Sequence, residues 1–141
     1  MTAKSYLRQA YRLDQKINSD LEEVQRLREM STSISSPSWG EKVQTSRSNE
    51  PTFVRCITKI IDLENAINKE IDTLVDLKEQ MRTVISKVEN TDQQMVLRYR
   101  YIHNLTWEQI GDELNADKVT VWRWHNQALD NVTLPENPII I

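Results

Sequence analysis

Residues 57–88 read ITKIIDLENAINKEIDTLVDLKEQMRTVISKV, a stretch that contains neither proline nor glycine. Apolar side chains recur along it with an average spacing of about 3.4 residues, close to the 3.5-residue period of a coiled-coil seam. The pattern predicts one long helix, of roughly 52 Å if it covers about 35 residues. Such a helix cannot bury an apolar seam alone, so we expect it to pair within the chain, with a second copy, or both. The predicted oligomerisation seam is Ile60, Leu63, Ile67, Ile71, Leu74, Leu77 and Met81.

The rest of the chain supports an all-α fold. Only two of its 141 residues are glycine, which leaves little room for the hairpin turns and phosphate loops of β or dinucleotide-binding folds. Residues 1–30 repeat the helical spacing, whereas residues 31–52 are rich in serine and contain Pro37, Gly40 and Pro51. We therefore predict an antiparallel helical hairpin or coiled coil over residues 1–89, with a linker at 31–52. The first helix is the shorter one, so a hairpin would leave part of the seam uncovered, which favours a homo-oligomer.

Residues 90–132 lose the heptad spacing and carry signals for three short helices. Asn90, Thr91 or Asp92 can cap the first, and Thr106 with Gln109 forms the capping-box pattern of the second. Asn115-Ala116 predicts a short turn, after which Asp117 can cap a last helix. This layout is that of a helix-turn-helix unit. Residues 133–141 form a tail in which two prolines exclude a helix.

The last helix has two distinct faces when residues are placed 100° apart. Val121, Trp124 and Ala128 share one face, which we expect to pack on the other helices. The opposite face offers an arginine and an asparagine, which can make bidentate hydrogen bonds to guanine and adenine in the major groove. The candidate DNA-binding residues are Lys118, Val119, Thr120, Trp122, Arg123 and Asn126, with Arg98 and Arg100 from the first helix of the unit.

The motifs VLRYR (96–100), TWEQIG (106–111) and LNAD (114–117), followed by Val121 and Ala128-Leu129, resemble region four of bacterial sigma factors. Behind a heptad-rich N-terminal half, the same tail resembles small phage late transcriptional activators of the ArpU and RinA type. The resemblance implies a phage regulator in the cytoplasm of a bacterial host, with double-stranded DNA and host RNA polymerase as partners. It also implies that Lys118, Val119, Thr120, Trp122 and Arg123 meet a −35-like DNA element.

Charge and composition restrict the remaining possibilities. The net charge is −3, and residues 90–130 carry four basic against six acidic side chains, so any DNA binding must come from a few basic residues on one face. Cys56, the one cysteine, lies among isoleucines and predicts a small buried side chain. No segment has the length of a membrane span or the pattern of a secretory signal, which predicts a cytoplasmic protein without a membrane partner.

Catalytic chemistry finds no support in the sequence. There is no nucleophile–base set, phosphate loop or metal cluster, so we expect neither an enzyme nor a cofactor. His103 and His125 have no cysteine nearby, and we interpret them as surface or capping residues rather than zinc ligands.

Three functional hypotheses remain. The first is a sequence-specific DNA-binding regulator of phage origin that oligomerises through its long helices. The second is a DNA-packaging protein resembling small terminase subunits, for which ring-forming stoichiometry would be expected. The third is a coiled-coil adaptor whose helix-turn-helix unit binds protein, which the acidic balance of residues 90–130 favours.

Overall fold

The computed structural model describes residues 1–35 and 45–141, with side chains described over 1–32 and 52–141. Within those ranges there is no strand, and the predicted all-α class is confirmed. None of the helices there combines the length and apolar character needed to cross a membrane. The helices are α1 (Ala3–Ser35), α2 (Thr45–Ser86), α3 (Thr91–Leu97), α4 (Trp107–Leu114) and α5 (Lys118–Asp130), with a π-helical segment, Arg98–Ile102, continuing α3.

Both long helices extend into the predicted linker at residues 31–52. α1 continues to Ser35 and α2 begins at Thr45, so a linker of that full length was wrong, and its centre, residues 36–44, lies outside the described residues. The hydroxyl groups of Ser31 and Thr32 both donate to the carbonyl oxygen of Arg28, one turn earlier. Small polar residues can therefore continue a helix, because their side chains bond to its own backbone.

The chain divides into two compact units, which we call unit 1 (residues 1–14 and 73–141) and unit 2 (residues 15–72). The predicted boundary between residues 89 and 90 falls inside unit 1. Its main core combines the start of α1, the end of α2 and residues from the C-terminal helices. The members with no exposed surface are Tyr6, Leu7, Ala10, Leu77, Met81, Ile85, Leu97 and Ala128.

A second, smaller core holds the C-terminal helices together. Val96, Ile110 and Val121 are fully buried in it, and Trp107 and Trp124 pack against them. α3, α4 and α5 each begin with a cap that the sequence predicted. The Asn90 side chain accepts from the Gln93 N–H group, the Thr106 hydroxyl from that of Gln109, and the Asp117 carboxylate from that of Thr120. The Gln109 side chain also accepts from the Thr106 N–H group, at 2.9 Å, which completes the capping box.

The tail is attached to unit 1 through two glutamine side chains. The amide group of Gln80 accepts from the Ile139 N–H group and donates to the Asn137 carbonyl oxygen, both at 3.0 Å. Gln9 does the same for the Ile141 N–H group and the Ile139 carbonyl oxygen, both at 2.9 Å. These bonds satisfy backbone groups of the tail, which belong to no helix.

Within unit 2, parts of α1 and α2 pack against each other in an antiparallel arrangement. Lys16 forms an ion pair with Glu70 at 2.6 Å, whereas Arg28, further along α1, forms one with the earlier residue Glu64. Its interior contains Ile17, Val24, Cys56, Ile60 and Ile67. The burial of Cys56 confirms that it serves as a small apolar side chain.

Gly111 is required by a close approach within the α4–α5 region. A Cβ atom at this position would lie 2.6 Å from the carbonyl oxygen of Ala116, a backbone atom that cannot move aside cheaply. The Ala116 N–H group donates to the Gly111 carbonyl oxygen at 2.9 Å, so the turn folds directly over this glycine. Asn115 permits the turn by taking a left-handed conformation, with φ of 52°.

We predict that Gly111→Ala destabilises the protein by about 1–3 kcal/mol, the usual cost of overpacking. In a helix with no obstruction, replacing glycine by alanine would stabilise the protein by about 1 kcal/mol. The sign of the change in unfolding free energy therefore shows whether the contact with Ala116 limits this position. Urea unfolding measures the effect, with the exposed neighbour Asp112→Ala as the control, expected within about 0.5 kcal/mol of wild type. A Gly111→Ala variant as stable as wild type would contradict this explanation of the glycine.

Candidate nucleic-acid interface

The outer face of α5 carries the side chains that the sequence assigned to it. Val119 is 65% exposed and Trp122 is 55% exposed, and Arg123 is also exposed. On the opposite face, Val121 and Ala128 are fully buried. An exposed tryptophan and arginine therefore stand on a helix whose other side is fixed by core packing.

The N-terminus of α5 is held by Asp117, whose carboxylate accepts from the Thr120 N–H group at 2.7 Å. That bond lowers the pKa of Asp117, and the charge of Arg123 acts in the same direction. Thr120 is half-buried, and the exposed Lys118 ammonium lies 3.4 Å from the Glu108 carboxylate. An ion pair between two exposed side chains contributes little, so Lys118 can exchange Glu108 for another anion at small cost.

Arg98 and Arg100 lie in the π-helical segment and are both half-buried. The guanidinium of Arg100 stacks over the Trp107 ring, with its Cζ atom 4.3 Å from the ring centroid, and donates to the Leu105 carbonyl oxygen at 3.0 Å. These contacts fix the position of the Arg100 guanidinium without neutralising its positive charge. π-Helical turns are rare and often occur at functional sites.

A groove of about 460 Å³ runs beside α5 within unit 1. The start of α1 contributes Lys4, Arg8 and Tyr11, and α5 contributes Trp122, His125 and Asn126. The remaining lining residues come from the π-helical segment, from the loop after it and from the start of α4: Arg100, Tyr101, Asn104, Thr106 and Trp107. Three of the lining side chains are cationic and none is a carboxylate, so the groove is basic although the chain as a whole is acidic.

His125 is 3% exposed, so its interpretation as a surface or capping residue was wrong. Its Nε2 atom lies 2.6 Å from the Tyr101 hydroxyl and its Nδ1 atom 3.3 Å from the Asn126 side-chain oxygen. A neutral ring protonated on Nδ1 satisfies both contacts, since it donates to Asn126 and accepts from Tyr101. The Trp107 ring stands edge-on, 4.7 Å from the imidazole centroid.

Burial lowers the pKa of His125 to about 4, and the nearby charges of Lys4 and Arg100 add to this effect. The hydrogen bond with Asn126 opposes the shift. The imidazole is therefore neutral at physiological pH and serves to fix α5 against Tyr101. Burial also raises the pKa of Tyr101, which keeps its hydroxyl protonated as the donor in this pair.

Sequence reasoning missed the contribution of α1 to this region. Of its predicted residues, the structure brings Arg100, Trp122 and Asn126 into the groove, while Val119 and Arg123 lie on the exposed outer face of α5. The sequence signal available for this contribution was the spacing of Lys4, Arg8 and Arg12, which recur every four residues and therefore lie along one side of a helix. Nothing local in the sequence indicates that this part of α1 reaches the C-terminal helices.

The predicted oligomerisation seam is largely covered by the chain itself. Ile60, Ile67, Leu77 and Met81 are buried, Leu63 and Leu74 are half-buried, and Ile71 is exposed. An exposed apolar set that shares only Ile71 with the predicted seam stands on the surface of α2 in unit 2, at spacings that fit a heptad: Val54, Ile57, Ile61 and Ile71. The intrachain pairing of α1 and α2 therefore leaves a second apolar face uncovered.

A protein-family model described as "Protein of unknown function (DUF1492)" matches residues 33–133, which is well over half of the chain. The matched range takes in α2 and the C-terminal helices and excludes the basic start of α1. No curated protein and no solved structure matches the chain.

We predict that the buried His125 makes stability fall as the pH drops from about 6.5 toward about 4. Its pKa is lowered in the folded state, so the unfolded chain binds the proton more readily within that window. The stabilisation is complete above the unfolded pKa, and its loss amounts to at most about 3 kcal/mol. Urea unfolding at pH 7 and pH 5 measures it, with His125→Gln expected to have the flatter profile.

The other histidine supplies the matched control. His103 is exposed, so His103→Gln removes a histidine without removing a buried one and should keep the wild-type pH profile. If His125→Gln loses as much stability between pH 7 and pH 5 as wild type does, burial of His125 is not the cause of the pH dependence.

Proposed function

We propose that this chain, which belongs to the protein family DUF1492, is a sequence-specific DNA-binding regulator of transcription in which α5 enters the major groove. The observation that carries the proposal is the outer face of α5. Arg123 and Trp122 are exposed there on a capped helix, while the opposite face is locked into a core. A helix that reads bases needs this combination of free polar side chains and a rigid support.

The connection between α4 and α5 supports a helix-turn-helix arrangement. Residues 115–117 separate the two helices, with the left-handed Asn115 ending α4 and Asp117 capping α5. Gly111 allows that turn to fold closely over α4. In helix-turn-helix proteins the second helix reads base edges with its N-terminal residues. In this chain those residues are Lys118, Val119, Thr120, Trp122 and Arg123.

Each outer-face side chain has a role in that arrangement. Arg123 is the candidate for a bidentate contact with guanine, and Asn126 for adenine once it exchanges its contact with His125. Trp122 and Val119 offer apolar surface to thymine methyl groups or sugars. Lys118, Arg98 and Arg100 supply positive charge toward phosphates. The resemblance to region four of sigma factors adds a contact with RNA polymerase in a bacterial host cell, and a phage origin of the ArpU or RinA type.

Oligomerisation of the long helices is the second part of the proposal. A single unit with few basic side chains binds DNA weakly, and a dimer gains affinity by presenting two units at once. The exposed apolar residues of α2 in unit 2 provide a face for a second copy, since Ile61 is 52% exposed and Ile71 is 40% exposed. This function requires no catalytic step, no cofactor and no membrane.

A protein-binding adaptor is the second candidate, and one observation favours it. Val119 and Trp122 place more apolar surface on the outer face of α5 than phosphate contacts need. A tryptophan that becomes buried on binding is also a common anchor of protein interfaces. Binding selection from randomised duplexes at 50 and 200 mM salt distinguishes the two, because only the regulator enriches a defined sequence that survives the higher salt concentration.

We predict that Arg123→Ala weakens binding to the selected duplex by about 1–3 kcal/mol and relaxes discrimination at one base pair. Gln127→Ala is the matched control, because Gln127 is exposed on the same helix but beyond the N-terminal residues that reach bases. Fluorescence anisotropy measures both variants. Unchanged affinity of Arg123→Ala for a duplex that wild type binds specifically would show that the recognition face is assigned incorrectly.

We also predict that Ile61→Lys shifts the oligomer toward monomer in sedimentation equilibrium, because a charge on the exposed face of α2 opposes burial against a second copy. Ile140→Lys is the control, since Ile140 is 70% exposed but lies in the tail. An Ile61→Lys variant that sediments as wild type does would exclude this face as the oligomer interface.

A further inference from the structure

The first turns of α1 have two faces with opposite properties. Tyr6, Leu7 and Ala10 are fully buried in the core of unit 1. Lys4, Arg8 and Arg12 are exposed and recur every four residues, so they form one basic row about 12 Å long. Tight packing on one side thus holds a row of cations at the surface.

The three cations have no partner within the described part of the chain. None of Lys4, Arg8 and Arg12 forms an ion pair there, in contrast to Lys16 and Arg28 further along the same helix. Asp14, the one carboxylate in residues 1–14, lies 3.4 Å from the Asn104 side-chain nitrogen instead. Unpaired exposed cations keep their charge available for an external anion.

The basic row lies beside the helix to which base reading is assigned. Lys4 and Arg8 line the same groove as Trp122 and Asn126 of α5, together with the fixed guanidinium of Arg100. The charge of Lys4 also contributes to the low pKa of His125 on α5, which reflects how close the two helices lie. The positive charge that residues 90–130 lack is therefore supplied by α1.

We infer that Lys4, Arg8 and Arg12 bind the phosphate backbone of duplex DNA next to the major groove that α5 enters, an inference that rests on the proposed function. A helix in the major groove brings phosphates against the elements that flank it, and such contacts position the protein without reading sequence. In this protein the start of α1 flanks α5, because both helices line the 460 Å³ groove of unit 1. Its cations have the charge, exposure and spacing for that role.

The test compares Arg8→Gln with Arg26→Gln, which removes an arginine from the part of α1 that lies in unit 2. Anisotropy titrations at 50–200 mM KCl use a 30-base-pair duplex of random sequence and the selected duplex. Each lost phosphate contact makes the slope of log K against log salt shallower by about 0.9, so between 50 and 200 mM KCl the affinity of the variant falls about three- to fourfold less than that of wild type. Arg8→Gln should bind both duplexes more weakly at 50 mM KCl and show the same shallower slope on both, Arg26→Gln should keep the wild-type slope, and Arg8→Lys should restore it.

The outcomes separate this inference from the proposed function. If wild type binds the selected duplex and Arg8→Gln leaves the salt slope unchanged, α1 does not contact phosphates and the inference is wrong, while the assignment of α5 stands. A loss confined to the selected duplex would also overturn it, because a phosphate contact carries no sequence preference. If wild type binds neither duplex at 50 mM KCl, the proposed function fails, and this inference with it.

Discussion

The packing of the first turns of α1 into unit 1 is the constraint on which the candidate interface depends. Tyr6 and Leu7 are fully buried against the end of α2 and the C-terminal helices, and the Tyr6 hydroxyl donates to Gln80 at 2.7 Å. Burying two large side chains contributes several kcal/mol, so this part of α1 is fixed. Because it is fixed, the opposite face of the same turns holds Lys4 and Arg8 at the groove beside α5.

A polar contact inside unit 1 gives the region its second fixed point. The Tyr101–His125 hydrogen bond joins the π-helical segment to α5, and Arg100 stacks on Trp107 immediately beside it. A buried polar pair is stable only when both partners are satisfied, and a neutral His125 meets that requirement. The π-helical segment supplies both Tyr101, which is buried at the edge of the groove, and the half-buried Arg100, which also lines the groove. Rigid support and exposed charge thus come from neighbouring residues of one segment.

Much of this fold follows from local sequence signals, and the rest depends on contacts between distant residues. The caps at Asn90, Thr106 and Asp117, the left-handed Asn115 and the two faces of α5 are properties of a few adjacent residues, and the caps and the two faces were predicted correctly. The burial of His125 depends on Tyr101, 24 residues away, and the role of Gly111 depends on a turn that closes over it. The attachment of the tail to Gln9 and Gln80 joins residues far apart in the chain. The predicted oligomerisation seam is a further example. Its periodicity predicted an apolar face on α2, but it could not show whether α1 or a second copy of the chain covers that face.

The central claim is that α5 and the start of α1 form one DNA-binding surface within an acidic protein. Backbone amide chemical-shift changes during titration with the selected duplex test it most directly, because they report every contacting segment at once. We expect the largest chemical-shift changes over residues 4–12 and 118–126, and no changes in unit 2. Changes confined to the exposed apolar residues of α2, or no change at saturating duplex, would contradict the claim.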